Sequence, residues 1–150
     1  MLQKFLVLSS AIGVLALGCV PVPENATNQV TTGPSQCRVV DIVDGDTVDL
    51  SCPGQPRERA RLMGYDTPET YEPGCRQELA LGRQATQAMR QLVRQGQDFD
   101  FVFEGRDRYS RLLVWMTIDG ENVADTMVQQ GLAVRYSGGR RINWCDRLNA

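Results

Sequence analysis

The sequence predicts an α+β domain in which three strands precede the first helix and two more strands follow it. Three observations support this prediction. Residues 37–65 contain β-rich runs separated by Asp-Gly and Pro-Gly turn signals. Residues 78–95 repeat apolar positions at helical spacing, and residues 98–118 return to strand-like runs. Five strands with helices between them suit a Greek-key β-barrel of the OB type with packed helices.

The first two strands are expected to form a hairpin. Residues 37–43 and 47–52 flank Asp44 and Gly45, and Asp-Gly is a strong signal for a two-residue hairpin turn. A third strand is predicted over residues 57–65, directly after a Pro-Gly-Gln-Pro turn.

The long helix is predicted over residues 78–95, and Gly96 after it is a typical C′ residue. Its apolar residues recur at i, i+4, i+7 and i+11: Leu81, Ala85, Ala88 or Met89, and Leu92. These residues are therefore expected to face the core.

The next strands follow this helix. Residues 98–104 alternate, so that Phe99, Phe101 and Phe103 lie on one side, which we expect to be the core side. Another strand is predicted over residues 111–118.

A short helix capped by Asn122 should end at Gly131, and a last strand should cover residues 132–136. The remaining residues, 137–150, are expected to pack through Trp144 and a disulfide.

Residues 1–18 have the features of a signal peptide, because Lys4 precedes an apolar run that is too short to span a membrane. Cleavage after Gly18 would expose Cys19, the residue that lipidation requires, so ordinary secretion and a lipid anchor both stay open. Residues 19–36 are rich in Pro, Thr, Asn and Ser and predict a flexible tether. The folded domain is therefore predicted over residues 37–150.

The four cysteines of this domain indicate disulfides, because an even count is typical of small exported domains. Cys37 and Cys52 each lie seven residues from the expected turn and would face each other across the hairpin. The remaining pair is Cys75 with Cys145, a long-range bridge. A metal site is the alternative, but no C-x-x-C spacing supports it.

Composition excludes several classes of function. The chain has no histidine, which excludes His-based acid–base catalysis, Ser–His triads and His-ligated metal sites. Its formal net charge is −2, so it is not a globally basic nucleic-acid binder. Because the only lysine is Lys4, a nucleic-acid enzyme would have to concentrate arginine locally at its site.

Residues 61–69, RLMGYDTPE, combine three kinds of functional group. Asp66 and nearby backbone carbonyls suit a hard cation. Glu69, held beyond Pro68, offers a second carboxylate as a general base. Arg61 offers a planar fork for a phosphate. Alone, this stretch is more often a charged strand that ends in an ordinary turn.

Two further stretches favour a functional site over an ordinary turn: VDGDT at residues 43–47 and DRYSR at residues 107–111. In this order and at compatible spacing, the three stretches resemble the staphylococcal nuclease (thermonuclease) family. The resemblance covers about residues 37–136. It implies an OB-type barrel with packed helices, and Ca²⁺-dependent hydrolysis of DNA and RNA phosphodiesters that leaves 3′-phosphates.

The resemblance also implies site residues. Asp46, Asp66 and the backbone carbonyl of Thr67 match the Ca²⁺ ligands. Asp44 is interpreted as a turn or supporting residue, and Ser110 stands where the family usually has glycine.

The reacting groups come from the same resemblance. Arg61 and Arg111 match the arginines that bind the scissile phosphate, and Glu69 matches the residue that activates water. Tyr109 matches a residue near the nucleotide phosphate, and Tyr136 matches a base-contacting residue more loosely. Neutralising the phosphodiester and deprotonating water would then need no histidine.

Two other functions are considered. One is a non-catalytic OB-fold module on the cell envelope that binds nucleic acid or a protein, and the other is a disulfide-bonded envelope lipoprotein with solvated arginines. Because the matched carboxylates and arginines are all retained, the sequence favours the nuclease. We expect DNA and RNA substrates, a monomer, and an exported location: secreted, periplasmic or lipid-anchored through Cys19.

Overall fold

The structure, a computed structural model, describes residues 36–149 of the chain. Within this range the strands are β1 (Arg38–Ile42), β2 (Thr47–Ser51), β3 (Glu58–Leu62), β4 (Gly64–Asp66), β5 (Phe99–Arg106), β6 (Leu112–Ile118), β7 (Glu121–Asn122) and β8 (Val134–Tyr136). The helices are α1 (Arg76–Gln95), α2 (Val123–Gln129) and α3 (Trp144–Leu148). The predicted signal peptide, Cys19 and residues 20–35 of the tether lie outside the described residues.

The main sheet has the order β1-β2-β3-β6-β5, and β7 pairs with β6. Strands β3 and β6 run parallel, because the chain crosses over through α1 and β5 between them, and the other neighbours are antiparallel. Strands β4 and β8 form a separate antiparallel pair. The α+β class is confirmed, and five strands follow one another along the main sheet.

The prediction of a closed barrel is wrong for the residues that the structure describes. Between residues 36 and 149, the edge strand β1 pairs only with β2, and β5 at the other edge pairs only with β6. Helical side chains cover the core instead: Ala85 and Met89 of α1 and Met127 of α2 are fully buried in the same cluster as the sheet residues. The sheet stays open because the helices, rather than a further strand pair, close the core.

The predicted third strand is two strands in the structure. Gly64 has a φ of +91°, and a Cβ there would lie 2.5 Å from the ring of Trp115. The chain turns at this point, so β3 stays in the main sheet while β4 pairs with β8. The turn allows Asp66 at the end of β4 to approach Arg61 in β3.

The turn of the first hairpin also differs from the prediction. It is longer than the two residues Asp44 and Gly45, since the N–H groups of Val43 and Asp44 both donate to the carbonyl of Thr47, at 3.0 and 3.2 Å. The longer loop gives Asp46 a position before β2 from which it can reach the neighbouring strands.

A bulge in β1 compensates for the longer turn. The register shifts by one residue between Val39 and Asp41, so the far end of the ladder regains the predicted pairing. Cys37 therefore faces Cys52, and the two form a disulfide with a Cα–Cα distance of 4.1 Å.

Helix α1 begins at Arg76, two residues earlier than predicted, and ends at Gln95. Its buried residues are Glu78, Gly82, Ala85, Thr86 and Met89. Ala85 and Met89 confirm part of the predicted apolar face, whereas Leu81 and Leu92 are only half-buried because the face is turned toward Gly82. None of the helices between residues 36 and 149 is long and apolar enough to cross a bilayer.

One of the three phenylalanines predicted for the core is exposed. Phe101 is 7% exposed, whereas Phe103 is 43% exposed. A bulge between Phe103 and Gly105, where φ is +120°, disturbs the alternation near the end of β5.

Candidate active site

Arg61 brings the two predicted acidic ligands together. Asp46 directly precedes β2, Asp66 ends β4, and Thr47 lies opposite Arg61 in the ladder. Nη1 of Arg61 lies 2.8 Å from Oδ2 of Asp46, and Nη2 lies 3.2 Å from Oδ1 of Asp66. All three side chains are buried. One guanidinium therefore compensates the charge of two carboxylates in a water-poor environment.

The same guanidinium is bound to the main chain. Nη1 donates to the carbonyl of Leu62 at 3.0 Å, and Nη2 donates to the carbonyl of Tyr65 at 2.9 Å. These bonds tie the end of β3 to the start of β4. Arg61 therefore fixes the relative positions of both acids, in addition to the phosphate contact that the sequence predicts for it.

The turn before β2 holds Asp46 in place. The carboxylate of Asp44 accepts from the N–H of Asp46 at 3.0 Å, and the hydroxyl of Tyr65 donates to the carbonyl of Gly45 at 3.0 Å. A Cβ at Gly45 would lie 2.7 Å from the Cβ of Ala85, so the close approach to α1 requires glycine. Burial, followed by the charge of Asp46, raises the pKa of Asp44 to about 6.

The segment that carries Glu69 packs tightly on α1 at Gly82. A Cβ at Gly82 would lie 2.7 Å from the carbonyl oxygen of Pro68 and 3.2 Å from that of Glu69. The buried carboxylate of Glu78 accepts from the N–H of Glu69 at 3.2 Å. Gly82, which only weakens the helix in a sequence-based view, is thus the point where this segment is positioned.

The side chain of Glu69 is itself held by backbone groups. Its Oε1 accepts from the N–H of Thr70 at 2.8 Å and from that of Tyr71 at 3.0 Å. Both bonds use the same oxygen, so the orientation of the carboxylate is fixed while Oε2 keeps its lone pairs for another partner.

Arg111 is presented by a tight turn over residues 107–111. The carboxylate of Asp107 accepts from the N–H of Arg111 at 3.0 Å and from its Nε at 2.8 Å. Although burial opposes this, the bonds from Arg111 lower the pKa of Asp107. Ser110 has a φ of +64°, in the left-handed region that favours glycine, and the turn forms nevertheless.

Two residues that the sequence placed only in the packed tail lie at the site. Nε of Arg141 lies 3.1 Å from Oδ1 of Asp66, and the indole N–H of Trp144 donates to Oδ2 of Asp66 at 3.2 Å. Burial raises the pKa of Asp66 in spite of these partners. Burial alone would lower the pKa of Arg141, but the charges of Asp66 and Asp46 raise it.

A signal for these residues existed in the sequence. Arg141 and Trp144 lie within four residues of Cys145, and the predicted bridge to Cys75 would bring all three near the segment after Glu69. No motif marks them, so only the disulfide could have indicated their position.

The two predicted nucleotide-contacting tyrosines differ in exposure. Tyr109 is 65% exposed, and the guanidinium carbon of Arg108 lies 4.7 Å from the centre of its ring. Tyr136 is half-buried in β8, and its hydroxyl donates to the carbonyl of Gly139 at 2.8 Å. Only Tyr109 therefore presents most of its ring to solvent.

A narrow polar pocket of about 30 Å³ collects most of these groups. Its lining residues are Asp44, Asp46, Thr47, Thr67, Pro68, Glu69, Arg111 and Arg141. We call it the acid pocket. Arg61 and Asp66 lie behind this lining and support it through the ion pairs to Asp46 and Arg141.

The carboxylate of Asp46 in the acid pocket and that of Asp66 behind it fit a hard cation. Oδ1 of Asp46 accepts one hydrogen bond, from the hydroxyl of Thr47, and Oδ2 of Asp66 accepts one, from Trp144. Each of these oxygens retains capacity for a further partner. Burial is the main cause that raises the pKa of Asp44 and of Asp66, and the negative charge of Asp46 raises both further. A bound cation would relieve the repulsion between these carboxylates. With the Thr67 carbonyl, the set contains only oxygen.

The second disulfide is connected to the Glu69 segment through Glu78. Cys75 precedes α1 and Cys145 lies in α3, with a Cα–Cα distance of 5.9 Å. Glu78 is close to both sulfurs and accepts from the N–H of Gly74 at 2.7 Å. Because the sulfurs are bonded to each other, this group of three side chains acts as a staple rather than as a metal site.

Known proteins resemble this chain over most of the region that the structure describes. The family model described as staphylococcal nuclease homologue matches residues 59–145, more than half of the chain. The matched region contains Arg61, Glu69 and Arg141, whereas Asp46 precedes it.

Individual proteins that are named as nucleases also match this chain. Endonuclease YncB of Bacillus subtilis (strain 168) is 36% identical over 95 residues, which are 61% of this chain and 43% of that protein. The SPbeta prophage-derived endonuclease YokF of the same organism is 37% identical over 95 residues, 61% of this chain and 31% of that protein. The thermonuclease of Staphylococcus hyicus is 29% identical over 97 residues, 64% of this chain and 56% of that protein. The chain thus spans between about a third and just over half of the length of these relatives.

Proposed function

The chain belongs to the staphylococcal nuclease homologue family, and we propose from this premise that it is an exported nuclease that requires Ca²⁺ and hydrolyses the phosphodiester bonds of DNA and RNA. The names of its relatives, endonuclease and thermonuclease, support nuclease activity. The observation that carries the proposal is the acid pocket, in which Asp46, Glu69 and Arg111 meet in front of the Arg61–Asp66 ion pair.

Asp46, Asp66 and the carbonyl of Thr67 would hold the cation. When bound, Ca²⁺ would supply positive charge to an oxygen of the scissile phosphate. The protein contributes the fixed geometry, since Arg61 and Trp144 hold the two carboxylates in place. Flexible coordination by carboxylates, a carbonyl and water is typical of Ca²⁺ sites.

Glu69 is the general base of the proposed reaction. Its Oε2 takes a proton from the attacking water as the new P–O bond forms. The bond between phosphorus and the 5′-oxygen breaks, which leaves a 3′-phosphate and a 5′-hydroxyl that receives its proton from solvent. The backbone bonds to Oε1 keep the carboxylate oriented during this step.

Two guanidinium groups line the acid pocket where negative charge would develop on the phosphate. Arg111 lines the acid pocket, and its Nε is held by Asp107. Arg141, from the segment between β8 and α3, also lines the pocket. We assign both to the phosphate oxygens. Such preorganised donors stabilise a transition state because they need no reorientation when the charge forms. The phosphate contact of Arg61 stays a prediction from the sequence, since its Nη1 and Nη2 bind Asp46, Asp66 and two carbonyls behind this lining.

Export is part of the proposal. Two disulfides in a small domain support an oxidising location outside the cytoplasm. Mass spectrometry of the mature N-terminus would distinguish a free chain that begins at Cys19 from one with a lipidated Cys19. A chain that retains residues 1–18 in the cytoplasm would contradict export.

The function is tested by incubating the mature protein with single-stranded DNA, duplex DNA and RNA in Ca²⁺ or in a chelator. We expect cleavage in Ca²⁺, loss of cleavage after chelation, and recovery when Ca²⁺ is restored. Salt-dependent binding without cleavage would instead support a non-catalytic module. Full activity after exhaustive chelation would contradict the assigned cation site.

A further inference from the structure

A groove of about 490 Å³ runs along the outer face of the main sheet. One wall contains Asp49, Arg57, Glu58 and Arg59, and the other is the turn at residues 109–111. Glu58 is paired with Arg106. This face points away from the core, since the buried Ala60 alternates with the exposed Arg59 along β3. We call it the arginine groove.

The arginine groove adjoins the acid pocket at Arg111. Arg111 lines both. Arg57, Arg59 and Arg61 occupy every second position, so their side chains lie on one face of the same chain segment. Asp49 lies opposite Arg59 and Thr47 lies opposite Arg61, in successive pairs on this face of the ladder. A row of guanidinium groups therefore leads along the sheet to the proposed catalytic centre.

Arg57 and Arg59 are more exposed to solvent than the carboxylate of Asp49 between them. Nη2 of Arg57 lies 2.7 Å from Asp49, and Nε of Arg59 lies 3.1 Å from it. The side chain of Asp49 is 9% exposed, whereas those of Arg57 and Arg59 are 53% and 54% exposed. The buried acid thus fixes the two stems. Nη2 of Arg57 also lies 3.1 Å from the exposed Asp41, so Nη1 of Arg57 and both Nη groups of Arg59 are the donors that remain for a phosphate among the described residues.

The opposite wall offers an aromatic surface. Tyr109 is 65% exposed, and Arg108 stacks on its ring at 4.7 Å. Cations that follow a phosphate backbone, together with an exposed ring on which a base can stack, are the features of single-strand binding surfaces. Duplex DNA, whose bases are already stacked on one another, could use the cations but not the ring.

We propose that the arginine groove is a subsite for the single-stranded nucleic acid that flanks the scissile phosphate. Arg57 and Arg59 bind backbone phosphates beyond the reacting one, and Tyr109 receives an unpaired base. This inference rests on the proposed function, because the strand enters the groove from the acid pocket.

The test compares cleavage of a dinucleotide and of a twelve-nucleotide oligothymidylate in Ca²⁺. In the Arg57→Ala/Arg59→Ala variant we expect kcat/KM for the long strand to fall roughly tenfold, mainly through KM, with the dinucleotide value unchanged. The slope of log affinity against log salt should become shallower by roughly 1.4, because each phosphate contact on a single strand contributes about 0.7.

Two further variants separate the groove from general effects. Arg83→Ala/Arg94→Ala removes the same charge from the exposed side of α1 and should leave the long-strand value unchanged. Asp49→Asn/Arg57→Gln/Arg59→Gln replaces both sides of the ion pairs, which avoids an unpaired buried carboxylate. If Arg57→Ala/Arg59→Ala is unstable, this triple variant should show the same loss of kcat/KM for the long strand.

Equal losses for the dinucleotide and the long strand, or no loss for either, would overturn the inference. A matching loss for a twelve-base-pair duplex would overturn the single-strand assignment. If the wild-type protein cleaves no substrate, the proposed function fails separately. The groove can then still be tested by the anisotropy of a labelled twelve-nucleotide strand in chelator. The inference requires that the Arg57→Ala/Arg59→Ala variant bind this strand more weakly and with less dependence on salt.

Discussion

Glu69 has one carboxylate oxygen bound to two backbone N–H groups, and in the proposed reaction its other oxygen takes the proton. Substitution by Gln preserves the shape and an acceptor oxygen but removes the basic carboxylate. We expect Glu69→Gln to lower kcat by about 10²–10⁴-fold, the usual contribution of general-base catalysis. Calorimetric Ca²⁺ affinity and the melting temperature should change little.

A control for Glu69→Gln is Glu72→Gln, which changes an exposed acid on the same loop. Loss of Ca²⁺ binding in parallel with kcat would make Glu69 a cation ligand instead. An unchanged kcat would move the proton acceptor elsewhere.

The two predicted phosphate arginines should respond differently to replacement by Lys. Arg61 is buried and bonds to two acids and two carbonyls, so Arg61→Lys should lower the free energy of unfolding by about 1–3 kcal/mol, as expected for unsatisfied buried groups. Arg111 is partly exposed, so Arg111→Lys should cost about 0.5 kcal/mol or less. Its kcat should still fall on the order of 10²-fold, because a planar donor is lost.

Chemical denaturation and steady-state kinetics check the two Lys variants, with Arg135→Lys as a control at an exposed ion pair. Equal effects of Arg61→Lys and Arg111→Lys on stability would contradict the structural assignment of Arg61.

The sequence was informative about residues within one short stretch and less so about distant ones. Arg61, Asp66 and Glu69 lie within nine residues of one another, so strand alternation and a proline turn indicated a shared site. Arg141 and Trp144 reach Asp66 from more than seventy residues away. Their contact depends on tertiary packing and a disulfide, which local patterns do not encode.

Among the elements, α1 controls the position of the segment that carries Glu69, through the close contact at Gly82. In Gly82→Ala the helix gains up to about 1 kcal/mol of intrinsic propensity, but the new Cβ would displace the carbonyls of Pro68 and Glu69. We expect kcat to fall by as much as about 10²-fold, the effect of misplacing a reacting group by an ångström. Kinetics and a thermal melt would measure both effects.

Gln84→Ala, at an exposed position of the same helix, is the control for Gly82→Ala. A Gly82→Ala variant with normal kcat would show that the segment tolerates the displacement.

The first hairpin shows how an element can be predicted correctly at one end and wrongly at the other. The Asp-Gly signal indicated a two-residue turn, but the hydrogen bonds to Thr47 make a longer one. The register shift between Val39 and Asp41 restored the pairing of Cys37 with Cys52. Bulges depend on cross-strand fit, which a single strand's sequence does not reveal.

For the whole molecule, the two disulfides should differ in their effect on activity. Removing Cys75 and Cys145, which are 70 residues apart, should cost on the order of 2–5 kcal/mol and also lower kcat, since α3 carries Trp144 to Asp66. The control is Cys37→Ser/Cys52→Ser, whose bridge spans 15 residues at the far end of the hairpin. It should reduce the melting temperature with little change in kcat.

Both disulfide variants are compared with wild type by thermal melts and by kinetics below their transitions. Equal kcat values in the two variants would contradict the link between α3 and the acid pocket.

The overall architecture was predictable only to the level of its class. Alternating strands and one long periodic helix indicated α+β, but closure of a barrel depends on whether edge strands or helices cover the core. In this protein Met89 of α1 and Met127 of α2 cover the core. Their burial was visible as apolar periodicity, whereas the partner against which they pack was not.

The contact of Arg141 and Trp144 with Asp66 has a consequence for the order of synthesis. A ribosome adds the residues of every strand and of the helices α1 and α2 before it adds these two. A nascent chain that lacks them therefore has the residues of every strand but an incomplete acid pocket. The Cys75–Cys145 bond closes later still, where thiols are oxidised. In a cell that exports such a protein, the interval between translation and oxidation would spare the cell's own nucleic acids.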